Sequence, residues 1–309
     1  MPKHHRVASA AAVTALALVA ALAGWPASAA ARAGSSPAHY VALGDSYASG
    51  PLIPVQRTDP IGCERSTSNY PALLAAALRI GDYTDVSCGS ATTDNMTAAQ
   101  TVPLGTNPPQ FDALRPDTDL VTLTISGNDI GFVDIITTCT LLSSTDPLGN
   151  PCQRQATAGG TDVYAQRIAA AAPKVAQVLE GIRERSPRAR VLLVGYLRLL
   201  PPTLGCYPVF PIARSDVPYL DGVERQFNAM LAEQASDHGA VFVDSYGGSL
   251  GHDACQLPGV KWVEGLVPTS PAAPVHPNAT GMQEVAVFAL DTLRGVAPLG
   301  SAAASYVGR

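Results

Sequence analysis

Charge and aromatic rings are both scarce in this chain, at 15 % and 6 % of its residues. The 20 basic side chains are outnumbered by 25 acidic ones, for a formal net charge of −5. That balance excludes a nucleic-acid binder working by bulk positive charge. Histidine is rarer still, six in 309 residues, and neither C-x-x-C nor H-E-x-x-H occurs. No metal site is therefore expected, because a zinc centre needs ligands at such spacings. With hydrophobic residues at 47 %, the chain is too apolar and too weakly charged to be disordered and has ample material for a core.

Long apolar runs are missing too, with one exception at the start. Lys3 and Arg6 precede an Ala/Leu/Val-rich run over 7–23, and Trp25-Pro26-Ala27-Ser28-Ala29 then supplies an A-x-A cleavage site. This pattern reads as a secretory signal peptide over 1–31, leaving 32–309 as the exported protein. No other stretch reaches the ~18 apolar residues of a membrane span, so no stable membrane anchor is expected. Removing the leader takes two basic residues and no acidic ones, which moves the charge from −5 to −7. It also leaves His39, His238, His252 and His276 as the histidines of the mature chain. All six cysteines remain, and an even number in an exported chain reads as three disulfides, with the pairing open on count alone.

Buried strands are expected at 39–43, 120–125, 190–195 and 241–243, and helices at 70–78, 164–185, 223–235 and 281–293. Pro173 should kink or split the second helix. Strands alternating with helices imply a three-layer α/β/α sandwich around a parallel sheet, with ligands bound beyond the carboxyl ends of the strands. Two Pro/Gly/Ser-rich stretches, 143–161 and 200–218, read as surface loops shaping a pocket. No internal repeat or linker of distinct composition is present, so one domain is expected, fraying from about residue 298.

Two serines compete for chemistry. Gly247-Gly248-Ser249-Leu250-Gly251 matches the G-x-S-x-G elbow, but that elbow needs a helix directly after the serine. Gly251-His252-Asp253-Ala254-Cys255 follows instead, and beyond that segment His276 is the one histidine downstream. Ser249 thus reads as part of a glycine-rich surface turn. The rival, Ser46, lies in Gly44-Asp45-Ser46-Tyr47 where the first strand runs out. G-D-S alone is a common turn sequence. Here it is joined, in order, by Cys88-Gly89-Ser90, Gly127-Asn128-Asp129 and His276-Pro277-Asn278. These four blocks resemble, in order and rough spacing, those of the SGNH (GDSL) hydrolases, over residues from about 40 to 290. The wording of 40–47 and 127–132 is most similar to the family's secreted actinobacterial lipases, esterases and phospholipases.

The resemblance implies a flavodoxin-like SGNH fold and a carboxylic-ester hydrolase without metal or cofactor. Ser46 becomes the nucleophile and His276 its general base. The oxyanion donors are the backbone N–H groups of Ser46 and Gly89 and the side-chain amide of Asn128. Disulfides are expected between Cys63 and Cys88, Cys139 and Cys152, and Cys206 and Cys255, as the secreted relatives pair. Many members carry an acid three residues before the histidine, but this chain has Ala273 there and no carboxylate between Glu264 and His276. A main-chain carbonyl in 270–273, taken as that of Ala273, is expected in the acid's place, giving a dyad. Thr280-Gly281-Met282-Gln283 reads as a capping box whose helix dipole keeps His276 neutral. Asp45 and Asp129 read as turn residues, and His39, His238 and His252 as surface or loop residues. Loops rich in Leu, Pro and Val favour a lipid or other acyl-ester substrate acted on by a monomer. A polysaccharide deacetylase and a catalytically dead binding module are the alternatives.

Overall fold

The apolar runs form the strands of one sheet, seen in a computed structural model that describes residues 37–295 together with Met1 and Pro2. The expected leader, after Pro2, and the expected frayed tail lie outside the described residues. Strand β1 (His39–Gly44) is followed by a single-turn helix α1 (Ser46–Ser49), helix α2 (Tyr70–Leu78) and strand β2 (Asp82–Asp85). A small hairpin of β3 (Gln100–Val102) and β4 (Gly105–Asn107) precedes β5 (Leu120–Thr124). Helices α3 (Phe132–Ser143), α4 (Pro151–Ala156) and α5 (Val163–Arg185) then lead to β6 (Arg190–Val194). The chain closes with α6 (Val217–Asp237), β7 (Val241–Val243), the short α7 (Ser245–Gly248) and α8 (Ala279–Arg294).

Five strands lie parallel in the order β2-β1-β5-β6-β7. Every residue of β5 is buried, as a central strand covered on both faces requires. The right-handed rule for parallel crossovers puts α2, which moves the chain one way from β1, opposite α5, which moves it the other way from β5. The pairs α2 with α8 and α5 with α6 pack together, giving the two helical layers. The chain leaves β1 toward β2 on one side and returns as β5 on the other. Beyond the carboxyl ends of β1 and β5 is therefore the switch point where such sheets bind ligands.

Several expected boundaries move. Strand β2 (Asp-Tyr-Thr-Asp) is too polar and short to stand out in the sequence, and it lies at the sheet edge with mixed exposure. Helix α3 lies in a stretch with no expected element, and α4 falls within the 143–161 stretch read as loop. Helix α5 runs unbroken through Pro173, which neither splits nor ends it. A proline there removes one hydrogen bond, while Val175, Val178, Leu179 and Ile182 are buried on the same helix and hold the rest in place. Helix α6 begins at Val217 because Pro218 sits in its first turn, where a missing N–H costs nothing. Helix α8 is capped by the Asn278 side chain on Gly281 N–H at 3.0 Å, not by the expected Thr280 box.

The disulfides join Cys63 to Cys88, Cys139 to Cys152 and Cys206 to Cys255. The first ties the loop after α1 to the segment after β2, the second links α3 to α4, and the third staples the 200–216 loop to the loop after α7. Among the described residues no helix is long and apolar enough to cross a membrane.

Candidate active site

The first strand delivers Ser46 by a sharp turn. Gly44 has φ 152°, and a Cβ there would lie 2.6 Å from the Thr124 carbonyl oxygen of the adjoining strand, so only glycine lets the chain leave β1 this closely. Asp45 then caps α1, its carboxylate accepting the Tyr47 N–H at 2.9 Å. Its other carboxyl oxygen accepts the Tyr196 hydroxyl, and that hydroxyl in turn accepts the Gly127 N–H at 2.8 Å. Burial pushes the Asp45 carboxyl up to about 7, against the lowering effect of the Tyr196 and Tyr47 hydrogen bonds. Asp45 is thus the turn residue expected, and Tyr196 is the partner that the sequence did not single out. Tyr196 lies just past β6, so the rule that sites gather beyond strand ends could have found it.

His276 arrives from the loop before α8. Its Nε2 lies 2.7 Å from Ser46 Oγ and its Nδ1 lies 2.7 Å from the Pro274 carbonyl oxygen. A carbonyl can only accept, so Nδ1 bears the proton and Nε2 presents a lone pair to the serine hydroxyl. Burial holds the imidazole below its usual pKa, partly offset by the Pro274 hydrogen bond, and so keeps the ring neutral. The expected carbonyl, that of Ala273, is not the one used. It accepts the His276 backbone N–H at 3.3 Å, closing a turn that swings the Pro274 oxygen toward the ring. Among the described residues no carboxylate hydrogen-bonds the ring. Glu264 is fully buried elsewhere, against Lys261 at 2.8 Å, Asn278 at 2.9 Å and Thr269. Burial would raise its pKa, but those hydrogen bonds outweigh it and hold the carboxyl at about 2.

Asn128 follows β5 and lines the same small pocket as Ser46 and His276. One amide hydrogen goes to the Ala91 carbonyl at 2.8 Å, and the other has no protein acceptor among the described residues. Gly127 beside it has no room for a side chain, since a Cβ would lie 3.0 Å from the Tyr196 ring. Gly89 does not take its expected place. It is buried, and its N–H donates to the Cys63 carbonyl at 2.9 Å. Its neighbour Ser90 is exposed at φ 64°, and the Ser90 N–H has no protein acceptor among the described residues. Asp129 binds Thr93 and Lys174, away from the proton path.

Ser249 is buried rather than on a surface turn. Its hydroxyl donates to the Ser245 carbonyl at 2.8 Å and accepts the Arg198 N–H at 2.9 Å, with no histidine in reach. The other histidines among the described residues are occupied as well: His39 faces Asp82 and Asp117, His238 faces Glu180, and His252 stacks on Trp262. Beside the pocket of Ser46 and His276 lies an apolar one between α3 and α6, partly open to solvent. Gly127, Phe132 and Tyr196 line both.

A serine hydroxyl, a neutral imidazole aimed at it and a side-chain amide in the same pocket are an arrangement with the chemistry a serine hydrolase needs. Residues 42–284 match the GDSL-like lipase/acylhydrolase family, and the chain belongs to it as a carboxylic-ester hydrolase. It is 40 % identical over 260 residues to lipase 2 of Streptomyces coelicolor, covering 82 % of this chain and 85 % of that one. A lipase of Streptomyces rimosus is 34 % identical over 277 residues, covering 89 % and 94 %. Among solved structures, phospholipase A1 from Streptomyces albidoflavus aligns with a TM-score of 0.67 at 27 % identity, covering 84 % of this chain and all (100 %) of that one. An extracellular lipase from Streptomyces rimosus gives 0.64 at 29 % identity, covering 84 % and 99 %.

Proposed function

We propose that the chain is a secreted lipase or esterase that works through a Ser46–His276 dyad and an acyl-enzyme. His276 Nε2 takes the hydroxyl proton as Ser46 Oγ attacks the ester carbonyl. The imidazolium then gives that proton to the departing alkoxide, leaving Ser46 acylated. Water, deprotonated by the same Nε2, attacks the acyl carbonyl. Ser46 recovers its proton, and the carboxylic acid leaves. The growing oxyanion is met by the Ser46 N–H, the free Asn128 amide hydrogen and the Ser90 N–H in place of Gly89. Ser90 is favoured because the Asn128 amide binds Ala91, which brings this segment beside it, while the Gly89 N–H is already engaged. The acyl chain lies in the apolar pocket that shares Gly127, Phe132 and Tyr196 with the site. That pocket favours an acyl ester longer than acetate over a polysaccharide acetyl group. Export rests on the leader at 1–31, in keeping with a relative described as extracellular. The enzyme acts as a monomer, since one chain supplies every residue of the dyad.

The observation that carries this reading is the pair of 2.7 Å contacts that places His276 between Ser46 Oγ and the Pro274 carbonyl. Hydrolysis of p-nitrophenyl esters of graded chain length tests it. Turnover that rises beyond acetate and vanishes in Ser46→Ala but not in Ser249→Ala is expected. Activity confined to acetate would favour the deacetylase, and no activity at all would favour a dead binding module.

A further inference from the structure

One carboxyl interrupts the apolar pocket. Glu224, on the third turn of α6, lines it beside Ile135, Leu199, Leu220, Val223 and Phe227. Its two oxygens lie 3.0 and 3.2 Å from a single donor, the Leu199 N–H, and no other hydrogen bond reaches them among the described residues. The cation nearby is already taken. Arg198, just past β6, pairs with Asp221 one turn earlier on α6 and lies over the Tyr246 ring of α7. The other titratable neighbours, Asp253 in the loop after α7 and Tyr47 of α1, bring no positive charge. Glu224 is therefore a carboxyl with one neutral donor and no ion pair of its own among the described residues, feeling Arg198 only through that residue's field, and it faces the space assigned to the acyl chain.

We propose that Glu224 makes the enzyme's preference for longer acyl chains depend on pH. The neutral carboxyl completes an apolar wall that an acyl chain can cover. The carboxylate holds water in the pocket and resists being covered, because burying an uncompensated charge is far more costly than burying a neutral acid. Burial pushes the Glu224 carboxyl up to about 8, opposed by the Leu199 hydrogen bond and Arg198 and reinforced by Asp221, so the switch falls just above neutral pH. By linkage, a chain that dries the carboxyl raises its pKa further. Each added unit lowers long-chain affinity about tenfold across the titration, without touching a substrate too short to reach it. The sign is fixed: long-chain preference is high at low pH and falls as pH rises.

This inference rests on the ester-hydrolase reading of the site, and its test separates the two. The quantity to follow is the ratio of kcat/KM for p-nitrophenyl octanoate to that for p-nitrophenyl acetate, from about pH 6.5 to about pH 9.5. Titration of His276 is common to both substrates and cancels. Wild type is expected to lose about tenfold in this ratio, with a midpoint near the Glu224 pKa. Glu224→Gln keeps an acceptor for the Leu199 N–H but cannot ionise, so its ratio should stay level with pH. Glu224→Leu should also be level, at or above the low-pH value of wild type. A level ratio in wild type, or an unchanged titration in Glu224→Gln, overturns the proposal while leaving the ester hydrolase in place. Absence of hydrolysis of either ester by wild type overturns both.

Discussion

Ser46 and His276 meet at 2.7 Å but are held there in different ways. The serine stands on the sheet. β1 pairs on both sides, Asp45 caps the turn, and the Tyr196 hydroxyl ties that cap to Gly127 at the end of the neighbouring strand. The histidine stands on a loop with no strand or helix under it. Backbone contacts fix it instead: Glu264 N–H to the His276 carbonyl at 2.9 Å, Val275 N–H to the Gly265 carbonyl at 3.2 Å, and Ala273 N–H to the Pro51 carbonyl at 3.1 Å. The Tyr47 hydroxyl, from the serine's own turn, adds a bond of 2.7 Å to the Val275 carbonyl. Val275 sits at φ 58°, a strained conformation for a β-branched residue, which aims the next residue at the serine. The difference teaches where charge has been replaced by geometry. A triad's acid orients the base and also stabilises the imidazolium, whereas a carbonyl does the first fully and the second in part.

The sharpest way to break this comparison is to remove the base. His276→Ala should lower kcat on a p-nitrophenyl ester by about 10⁶, as when a catalytic serine or histidine is removed elsewhere. A loss below about a hundredfold would mean that Ser46 is activated by another group. Asn128→Ala should cost about 10² to 10³ in kcat with a smaller change in KM, because its amide is asked to bind the oxyanion more strongly than the ground-state carbonyl. Loss of affinity with turnover kept would assign Asn128 to substrate binding.

Next comes the loop. Glu264→Ala leaves buried Lys261 without its partner and should destabilise the fold by about 3–5 kcal/mol, read from the denaturant midpoint. Activity per folded molecule should stay within about tenfold, since this carboxylate steadies the loop without touching the ring. A collapse of kcat with stability intact would make it a hidden third member. Smallest of all is Gly89→Ala. A Cβ there meets the Cys63 carbonyl oxygen at 3.4 Å and the Glu64 carboxylate at 3.5 Å, ordinary contacts. Its activity should fall within about threefold of wild type. A drop of a hundredfold would return the second backbone donor to Gly89.

Much of the serine side was legible in the sequence, and less of the histidine side. Strands β1, β5, β6 and β7 announce themselves as apolar runs, and Asn69 with Pro71 marks the start of α2. Ser46, Asn128 and His276 each sit at a motif, and the structure brings them to one pocket. What escaped depends on which backbone atom points where. No side chain tells Pro274 from Ala273 as the carbonyl that meets Nδ1. Likewise nothing in Cys88-Gly89-Ser90 says that the glycine's N–H is spent on Cys63. Tyr196 and Glu224 were hidden for another reason: each acts across the fold, on residues 151 positions away and 25 positions away respectively.

The dyad itself is tested most directly by covalent labelling with a p-nitrophenyl phosphonate, following both the rate of adduct formation and the peptide that bears it. One adduct per chain on the peptide holding Ser46 is expected, formed at the wild-type rate within about tenfold in Asp253→Ala and not measurably in His276→Ala. An adduct on Ser249, or a labelling rate that collapses in Asp253→Ala with the fold intact, would contradict a Ser46–His276 pair working without a carboxylate.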